Sequence, residues 1–245
     1  MSATSRDDST APLDDRALAR LVLRTTRTAA LATLDRAAGG PLTTLVALGI
    51  SPGGAPLLLF SQLSHHTKNL AADARASLLL AARGERGDPL NRPRLTLSGP
   101  IVPYDDVRSK ARYLRQNPKA RLYASFADFG LYTMDIASVH FNGGFGRAGA
   151  LAPTDLATDV AGAEELIEAE ESLLAEVNAS GVLSALPIGE RKGEARRSWR
   201  ARSLDPEGLD ISSGVAGGRV IFEAPATNRM DWLVAFKRAG VIERP

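Results

Sequence analysis

The amino-acid sequence predicts an α+β protein in which an antiparallel β-barrel is followed by a small C-terminal α+β domain. In the first 150 residues short strands follow one another closely and helices are inserted only at intervals, which is typical of antiparallel barrels and not of βαβ units. Near Pro153 the composition changes to a long acidic helical pattern and a second group of strands. A chain of 245 residues is long enough for two such cores.

The first predicted elements are one helix and two strands. Residues 1–12 are mostly polar, and we expect them to form a disordered tail. Apolar residues at helical spacing then predict a short amphipathic helix that ends near Arg24. Residues 28–34 predict a strand, and residues 42–50, which are rich in Thr, Val and Leu, predict a second one after a turn that contains Gly39.

A hairpin signal leads into the middle of the barrel. The residues Ser-Pro-Gly-Gly at 51–54 predict a tight turn, and residues 56–61 predict the third strand. Residues 64–72 predict a short helix. Residues 76–81 are nearly all apolar, which predicts a strand buried on both faces. Residues 94–102 predict a fifth strand.

The remaining segments complete the barrel and form the second domain. Residues 105–116 predict a helix, and residues 131–141 predict the last strand of the barrel. The second domain is predicted from a helix at 160–178, strands at 198–204, 209–212 and 219–223, and a helix at 228–239 with Asn228 as its N-cap and Gly240 after its end. We therefore expect a tail at 1–12, a barrel domain at 13–152 and a C-terminal α+β domain at 153–245.

Composition argues against several classes of function. The formal net charge is only +2, and Lys and Arg alternate with Asp and Glu along most of the chain, so we expect no nucleic-acid partner. No apolar run is long enough to span a bilayer, and the N-terminus lacks the apolar stretch of a secretory signal, so we expect a cytoplasmic protein without a membrane partner. The absence of cysteine excludes disulfides and thiolate nucleophiles.

The glycine motif at residues 144–149 matches G-x-G-x-x-G. A dinucleotide fingerprint requires a helix that begins at the motif inside a βαβ unit. Pro153 follows four residues after the last glycine, and the preceding segments predict antiparallel strands. We therefore interpret the motif as a glycine-rich exit from the last barrel strand.

Polar side chains crowd the junction between the third strand and the short helix that follows it. Backbone N–H groups and the helix dipole favour an anion at such a junction, and hydroxyl, imidazole and ammonium groups suit a phosphate monoester. An ordinary polar helix cap is the alternative. Arg94, at the start of a neighbouring strand, could add a second positive charge. The junction residues are Ser61, Gln62, Ser64, His66, Thr67 and Lys68.

The three histidines do not predict a metal site. His65 and His66 are adjacent, so their side chains diverge, and His140 is remote in the sequence. No carboxylate stands at the spacing of a zinc or iron site. His140 alternates with apolar neighbours and is interpreted as an exposed or half-buried strand residue.

The order of these elements and several motifs resemble the split β-barrels related to pyridoxamine-phosphate oxidase, and within them the HugZ-type branch named for heme utilisation, in which a small α+β domain follows the barrel. The resemblance spans nearly all of residues 14–240. The segments that carry it are residues 28–34, 41–46, 58–70, 76–80, 87–90, 93–99, 128–129 and 142–148.

The resemblance implies a homodimer with FMN at the subunit interface. The phosphate-binding segment of the family corresponds to Ser61, Ser64, His66, Thr67 and Lys68, and the flanking strands would contribute Thr44 and Arg94. Charge-assisted bonds from Lys68 and Arg94 would be the strongest contacts to the phosphate. The flavin itself would supply the redox chemistry.

Two departures from the family pattern keep other functions open. Thr44 and Gly49 stand where true pyridoxamine-phosphate oxidases carry an Arg and a Lys, so that oxidase activity is not implied. No histidine follows His140, although heme-handling members of this branch use one near or beyond the Gly-Phe-Gly motif. An FMN-binding, oxidoreductase-like protein is our first hypothesis. A heme-binding or heme-degrading protein that uses His140 or His66 is the second, and a cofactor-free dimeric binding module is the third. No catalytic residue is assigned.

Overall fold

The computed structural model describes residues 13–82, 88–185, 198–214, 216–239 and 242–243. The predicted tail at 1–12 and the predicted terminal Gly240 lie outside these residues. The first described element is helix α1, Asp15–Thr25. Its N-cap is Asp14, whose carboxylate accepts a hydrogen bond from the backbone N–H of Ala17 at 2.7 Å, so the helix begins three residues after Pro12.

Nine strands form one curled antiparallel sheet. Seven of them follow the spatial order β2-β1-β5-β6-β7-β4-β3, β8 pairs with the free side of the first half of β6, and β9 pairs with β8. The two ends of this order, β2 and β3, are separated in the chain by Leu48 alone, so the chain itself connects the edges of the barrel. The strands are β1 Thr28–Leu34, β2 Pro41–Ala47, β3 Gly49–Ile50, β4 Pro56–Ser61, β5 Arg75–Ala81, β6 Arg94–Pro103, β7 Phe129–Met134, β8 Ser138–Asn142 and β9 Ala148–Leu151.

Two helices accompany the barrel. Helix α2, His65–Ala72, follows β4, and helix α3, Val107–Gln116, follows β6. Inward side chains of both halves of the barrel form one apolar core, in which Leu31, Leu78 and Leu97 are fully buried. Short 3₁₀ helices occupy Pro89–Asn91 and Pro118–Leu122.

The C-terminal part forms its own sheet and core. Four strands pair antiparallel in the order β10-β11-β12-β13, and helices pack on this sheet around Trp232, which is fully buried. The elements are α4 Pro153–Leu156, α5 Glu164–Glu168, α6 Glu170–Ala179, α7 Val182–Ala185, β10 Arg200–Asp205, β11 Gly208–Ser213, β12 Ala216–Ile221, α8 Arg229–Arg238 and β13 Ile242–Glu243. Together the two sheets confirm the predicted class, an antiparallel split barrel followed by a small α+β unit.

Four predicted elements need correction. The predicted strand 42–50 is two strands, because the chain passes from one edge of the sheet to the other at Leu48. The predicted strand 131–141 is β7 and β8, which pair with the two halves of β6. The predicted helix 160–178 begins at Glu164 and is interrupted at Ala169. The glycine motif does not simply leave the barrel, because it forms the turn and start of β9.

Strand β5 is also not buried on both faces. Its exposure alternates along the strand, with Leu78 and Leu80 inside and Leu79 42% exposed. The apolar run in the sequence therefore has one face in the core and one face open, which is the usual arrangement of an antiparallel sheet.

Buried charges join the barrel to the C-terminal sheet. Arg24 of α1 lies 3.3 Å from Asp205, and Arg219 binds both Asp205 and Asp210 at 2.7–2.9 Å. Burial lowers the pKa of Arg24 to about 10, against the opposing effect of Asp205. Burial raises the pKa of Asp205, but Arg219 and Arg24 outweigh it and hold that pKa well below its ordinary value.

A second buried ionic group lies between α3 and α6. Arg112 donates to the carboxylate of Glu170 and to the carbonyls of Ile50 at 2.8 Å and Leu204 at 2.7 Å. Glu170 also accepts from Arg115 and from the backbone N–H of Leu204 at 3.0 Å. These bonds tie β3 of the barrel to β10 of the C-terminal sheet.

Candidate functional site

The predicted junction residues come together where β4 gives way to α2. Ser64 donates to the carbonyl of Ser61 at 2.8 Å, and its hydroxyl lies 2.6 Å from that of the buried Thr67. The hydroxyl of Ser61 donates to the carboxylate of Asp128 and accepts from the backbone N–H of Leu63 at 3.1 Å. The hydroxyls at this corner are thus bonded to groups of the chain itself.

The first turn of α2 retains the features of an anion site. Ser64 is the N-cap of the helix, but its side chain makes no capping hydrogen bond to the first-turn N–H groups. Lys68 is exposed, and it makes no ion pair among the described residues. Asp128 places a carboxylate beside these donors, which weakens the attraction of the corner for a dianion.

His66 links the corner to β2. Its Nδ1 lies 3.3 Å from the hydroxyl of Thr44, and its ring packs against Phe60 with a centroid separation of 4.5 Å. Burial lowers the pKa of His66 below its ordinary value. Thr44 pairs with the fully buried Leu31, so Thr44 and His66 lie on the inner side of the sheet.

Gln62 lies on a different surface. Its backbone N–H donates to the carbonyl of Asp128 at 2.7 Å, and its side chain lines a groove of about 610 Å³ between α3 and β7. The groove has Leu131 and Tyr132 among its walls. Gln62 is therefore next to the corner in sequence but exposed away from its hydroxyl groups.

Arg94 lies on the opposite side of the sheet from Thr44. It pairs with Ala81 on one side and Asn142 on the other, and its neighbours Leu95 and Leu97 point into the core. Its Nη1 donates to the carbonyl of Leu90 at 2.7 Å. Within one chain, Arg94 does not join the residues at the start of α2.

Arg94 belongs instead to the outer face of the sheet. This face crosses six strands in the order β2, β1, β5, β6, β8 and β9, a width of roughly 24 Å at the usual strand spacing. Leu45 is 78% exposed on this face. Among the described residues, the outward side chains of these strands include no acidic residue. They are Thr28, Ala30, Ala32, Leu34, Pro41, Thr43, Leu45, Ala47, Arg75, Ser77, Leu79, Ala81, Arg94, Thr96, Ser98, Pro100, Ser138, His140, Asn142, Ala148 and Ala150.

His140 is exposed near the centre of the β6–β8–β9 part of this outer face. It lies directly opposite Thr96 on β6 and Ala150 on β9. One register row across the sheet places His140 in line with Leu79 and Leu45. The sequence places His140 on a strand, but it does not show that strands distant in sequence surround it, among the described residues, with a surface that lacks carboxylates.

Several other features bear on function. Within the described ranges, no three His, Asp or Glu side chains come together in a way that could hold a metal ion. Over the same ranges, no helix combines the length and the apolar character that a membrane crossing requires. The G-x-G-x-x-G motif lies in the β8–β9 hairpin, where Gly144 and Gly146 adopt positive φ and no helix begins. The motif therefore lacks the context of a dinucleotide site.

Comparison with known proteins identifies relatives of both parts of the chain. A model of the CREG β-barrel family, "CREG, beta-barrel", matches residues 11–157. The Agrobacterium tumefaciens protein Atu2129, of unknown function, is 39% identical, covers 94% of both chains and superposes with a TM-score of 0.78. A heme-binding protein from Mycobacterium smegmatis is 25% identical over 94% of this chain and 98% of its own, with a TM-score of 0.56.

A curated relative is similar over less than half of the chain. The chloroplastic heme oxygenase HOZ of Arabidopsis thaliana is 32% identical over 115 residues, which are 45% of this chain and 34% of HOZ. The chain thus spans about a third of the length of that relative.

Proposed function

This chain belongs to the CREG β-barrel family, and we propose that it binds heme on the outer face of the barrel sheet, with His140 as the iron ligand. The observation that carries the proposal is the exposed imidazole of His140 on a broad face without carboxylates. Two relatives named for heme, the mycobacterial protein and HOZ, support the same ligand.

The outer face has side chains with the chemistry that porphyrin binding requires. Imidazole is a common axial ligand of heme iron, and an exposed ring on a strand leaves room for a flat macrocycle. Leu79, two strands from His140 in the same register row, offers an apolar contact to the edge of a porphyrin ring. Bound heme would supply redox and O₂ chemistry, while this chain's residues would orient the ring and limit its access to water.

His66 is less suited to the same role. Its ring packs against Phe60, and its Nδ1 faces the hydroxyl of Thr44. The imidazole is half-buried, so little space is left for a porphyrin beside it.

A second copy of the chain would complete the site. Apolar side chains such as Leu45 and Leu79 are exposed on this face, and contiguous exposed apolar surface marks a site of contact with a ligand or a second chain. We propose a homodimer in which the two outer faces approach each other and enclose the ligand.

The second candidate function is that of an oxidoreductase-like protein that binds FMN at the start of α2. This candidate rests on a different observation. The first-turn N–H groups of α2 are not capped by Ser64, and Lys68 is exposed beside them. Ser61, Ser64 and Thr67 could turn their hydroxyls to a phosphate only by giving up present hydrogen bonds.

Absorption titration with hemin and with FMN distinguishes these functions. We expect a Soret band that saturates at a defined stoichiometry, and we expect His140→Ala to lower hemin affinity at least tenfold. His65→Ala is the matched control, because His65 is an exposed histidine on α2. Unchanged hemin binding in His140→Ala would refute the ligand assignment.

The same titration has two further outcomes. Uptake of FMN that is weakened by Lys68→Ala, without hemin uptake, would favour the α2 site and reject heme. Uptake of neither compound would favour the cofactor-free binding module. Light scattering of the purified protein tests the homodimer, and a monomeric mass would reject it.

A further inference from the structure

Arg94 and His140 are neighbours on the outer face. Arg94 lies directly opposite Asn142, and His140 is two residues before Asn142 on the same strand. Such diagonal pairs of an antiparallel sheet lie about 7–8 Å apart, which is within reach of a long side chain. The two residues therefore belong to one surface site, although 46 positions separate them in the sequence.

The guanidinium of Arg94 has donors to spare. Its hydrogen bonds to the carbonyls of Leu90 and Arg92 both use Nη1. Its Nε–H and Nη2 groups have no bond to another described residue, and no described carboxylate pairs with this guanidinium. The Nε–Nη2 edge of an arginine is the geometry that binds a carboxylate through two parallel hydrogen bonds.

The other arginine of the face differs in this respect. Arg75 lies at the opposite end of the face on β5, and its Nε and Nη2 groups are both bonded to Asp73. Its carboxylate-binding edge is thus already occupied. Among the described residues of the face, only Arg94 offers a free edge to an anion.

We propose that Arg94 binds a propionate carboxylate of the heme and so sets the orientation of the porphyrin ring relative to His140. This inference rests on the proposed heme site. The porphyrin ring is apolar, whereas its two propionates are charged and require partners when water is excluded. Arg94 supplies the matching charge next to the proposed iron ligand. It acts here as a positioning residue that selects ligands by their carboxylates.

The test compares hemin with hemin dimethyl ester, in which both propionates are uncharged. Each is titrated into the purified full chain, as wild type and as Arg94→Ala, and followed by absorption. We expect wild type to prefer hemin by about tenfold to a hundredfold, the range of a charge-assisted hydrogen bond. Arg94→Ala removes this preference, because it weakens hemin binding and leaves the ester unaffected. Arg94→Lys keeps the positive charge but not the two parallel N–H donors, so we expect it to retain part of the preference for hemin.

Controls separate this inference from the heme site itself. Arg75→Ala retains the full preference for hemin, as a matched arginine on the same face. A preference for hemin over its ester that persists in Arg94→Ala but disappears in Lys68→Ala would overturn the inference. That result would indicate that the propionates bind near Lys68 on α2. Equal affinity of wild type for both compounds, with His140 still required, would also overturn it and leave the heme site standing. A wild-type protein that takes up neither compound would refute both proposals.

Discussion

Replacing Glu170 with Gln tests whether the buried ionic group between α3 and α6 holds the barrel to the C-terminal sheet. Glu170 is 4% exposed and accepts from Arg112, Arg115 and the N–H of Leu204, and Arg112 is itself only 2% exposed. The amide keeps the shape of the carboxylate but leaves the buried charge of Arg112 without its partner.

The structure sets the expected magnitude of this change. Removing one partner of a buried ion pair destabilises a protein by about 3–5 kcal/mol, because the remaining charge stays desolvated. Gln keeps one carbonyl oxygen that can accept from Arg112 or from the N–H of Leu204. We therefore expect the free energy of unfolding to fall by an amount near the lower end of this range, about 3 kcal/mol. Arg112 also binds the carbonyls of Ile50 and Leu204, which keeps it from moving out to water.

Urea unfolding followed by circular dichroism measures this loss. Glu171→Gln is the matched control, because Glu171 is the next residue, is largely exposed and lies 3.8 Å from Arg115. We expect the control to leave the midpoint unchanged, as is usual for exposed pairs. If Glu170→Gln lowers the free energy of unfolding by less than about 1 kcal/mol, the buried pair does not have the role that we assign to it.

Three further predictions concern the barrel, the corner and the last helix. In Gly99→Ala the new Cβ would lie 1.9 Å from the carbonyl oxygen of Asp135, so we expect the free energy of unfolding in urea to fall by at least about 2 kcal/mol. Gly149→Ala is the control, because a Cβ there would meet nothing within 4 Å beyond its chain neighbours, and an equal loss in this variant would contradict the steric reason. Because burial lowers the pKa of His66, the unfolded chain binds more protons near pH 6, and stability should fall as pH decreases from 7 to 5.5. His66→Asn should flatten the dependence of the urea midpoint on pH, and His65→Asn should leave it unchanged. Equal slopes in the wild type and in both variants would argue against a role of His66 in this pH dependence. Asn228 caps α8 by accepting from the N–H of Asp231 at 3.0 Å, so Asn228→Ala should lower stability by about 1 kcal/mol, and no change in the midpoint would reject the cap.

Local pattern was sufficient for most elements of this fold. The turn at residues 51–54, the cap at Asn228 and strand β1 are each encoded within a few residues, so a sequence reading finds them. The crowding of Ser64, Thr67 and Lys68 at the start of α2 is likewise local, because these residues follow one another along one helical turn. The class of fold follows from the spacing of such elements.

The sequence does not show which side of the sheet a residue faces. The run at 76–81 is apolar throughout, and only its pairing with β1 and β6 shows that Leu78 is inside and Leu79 outside. The division of residues 131–141 into β7 and β8 depends on the two halves of β6, with which these strands pair.

By itself, the sequence determined the α+β class, the order of most elements and the polar corner at α2, because each depends on contacts between residues close in the chain. The tertiary structure alone decided that Arg94 and Thr44 lie on opposite sides of the sheet and that Arg94 neighbours His140. It also decided that Arg112 and Glu170 are buried together. The physical reason is that strand register and domain contacts join residues far apart in sequence, and no local periodicity encodes which distant partner a strand or a charge will meet.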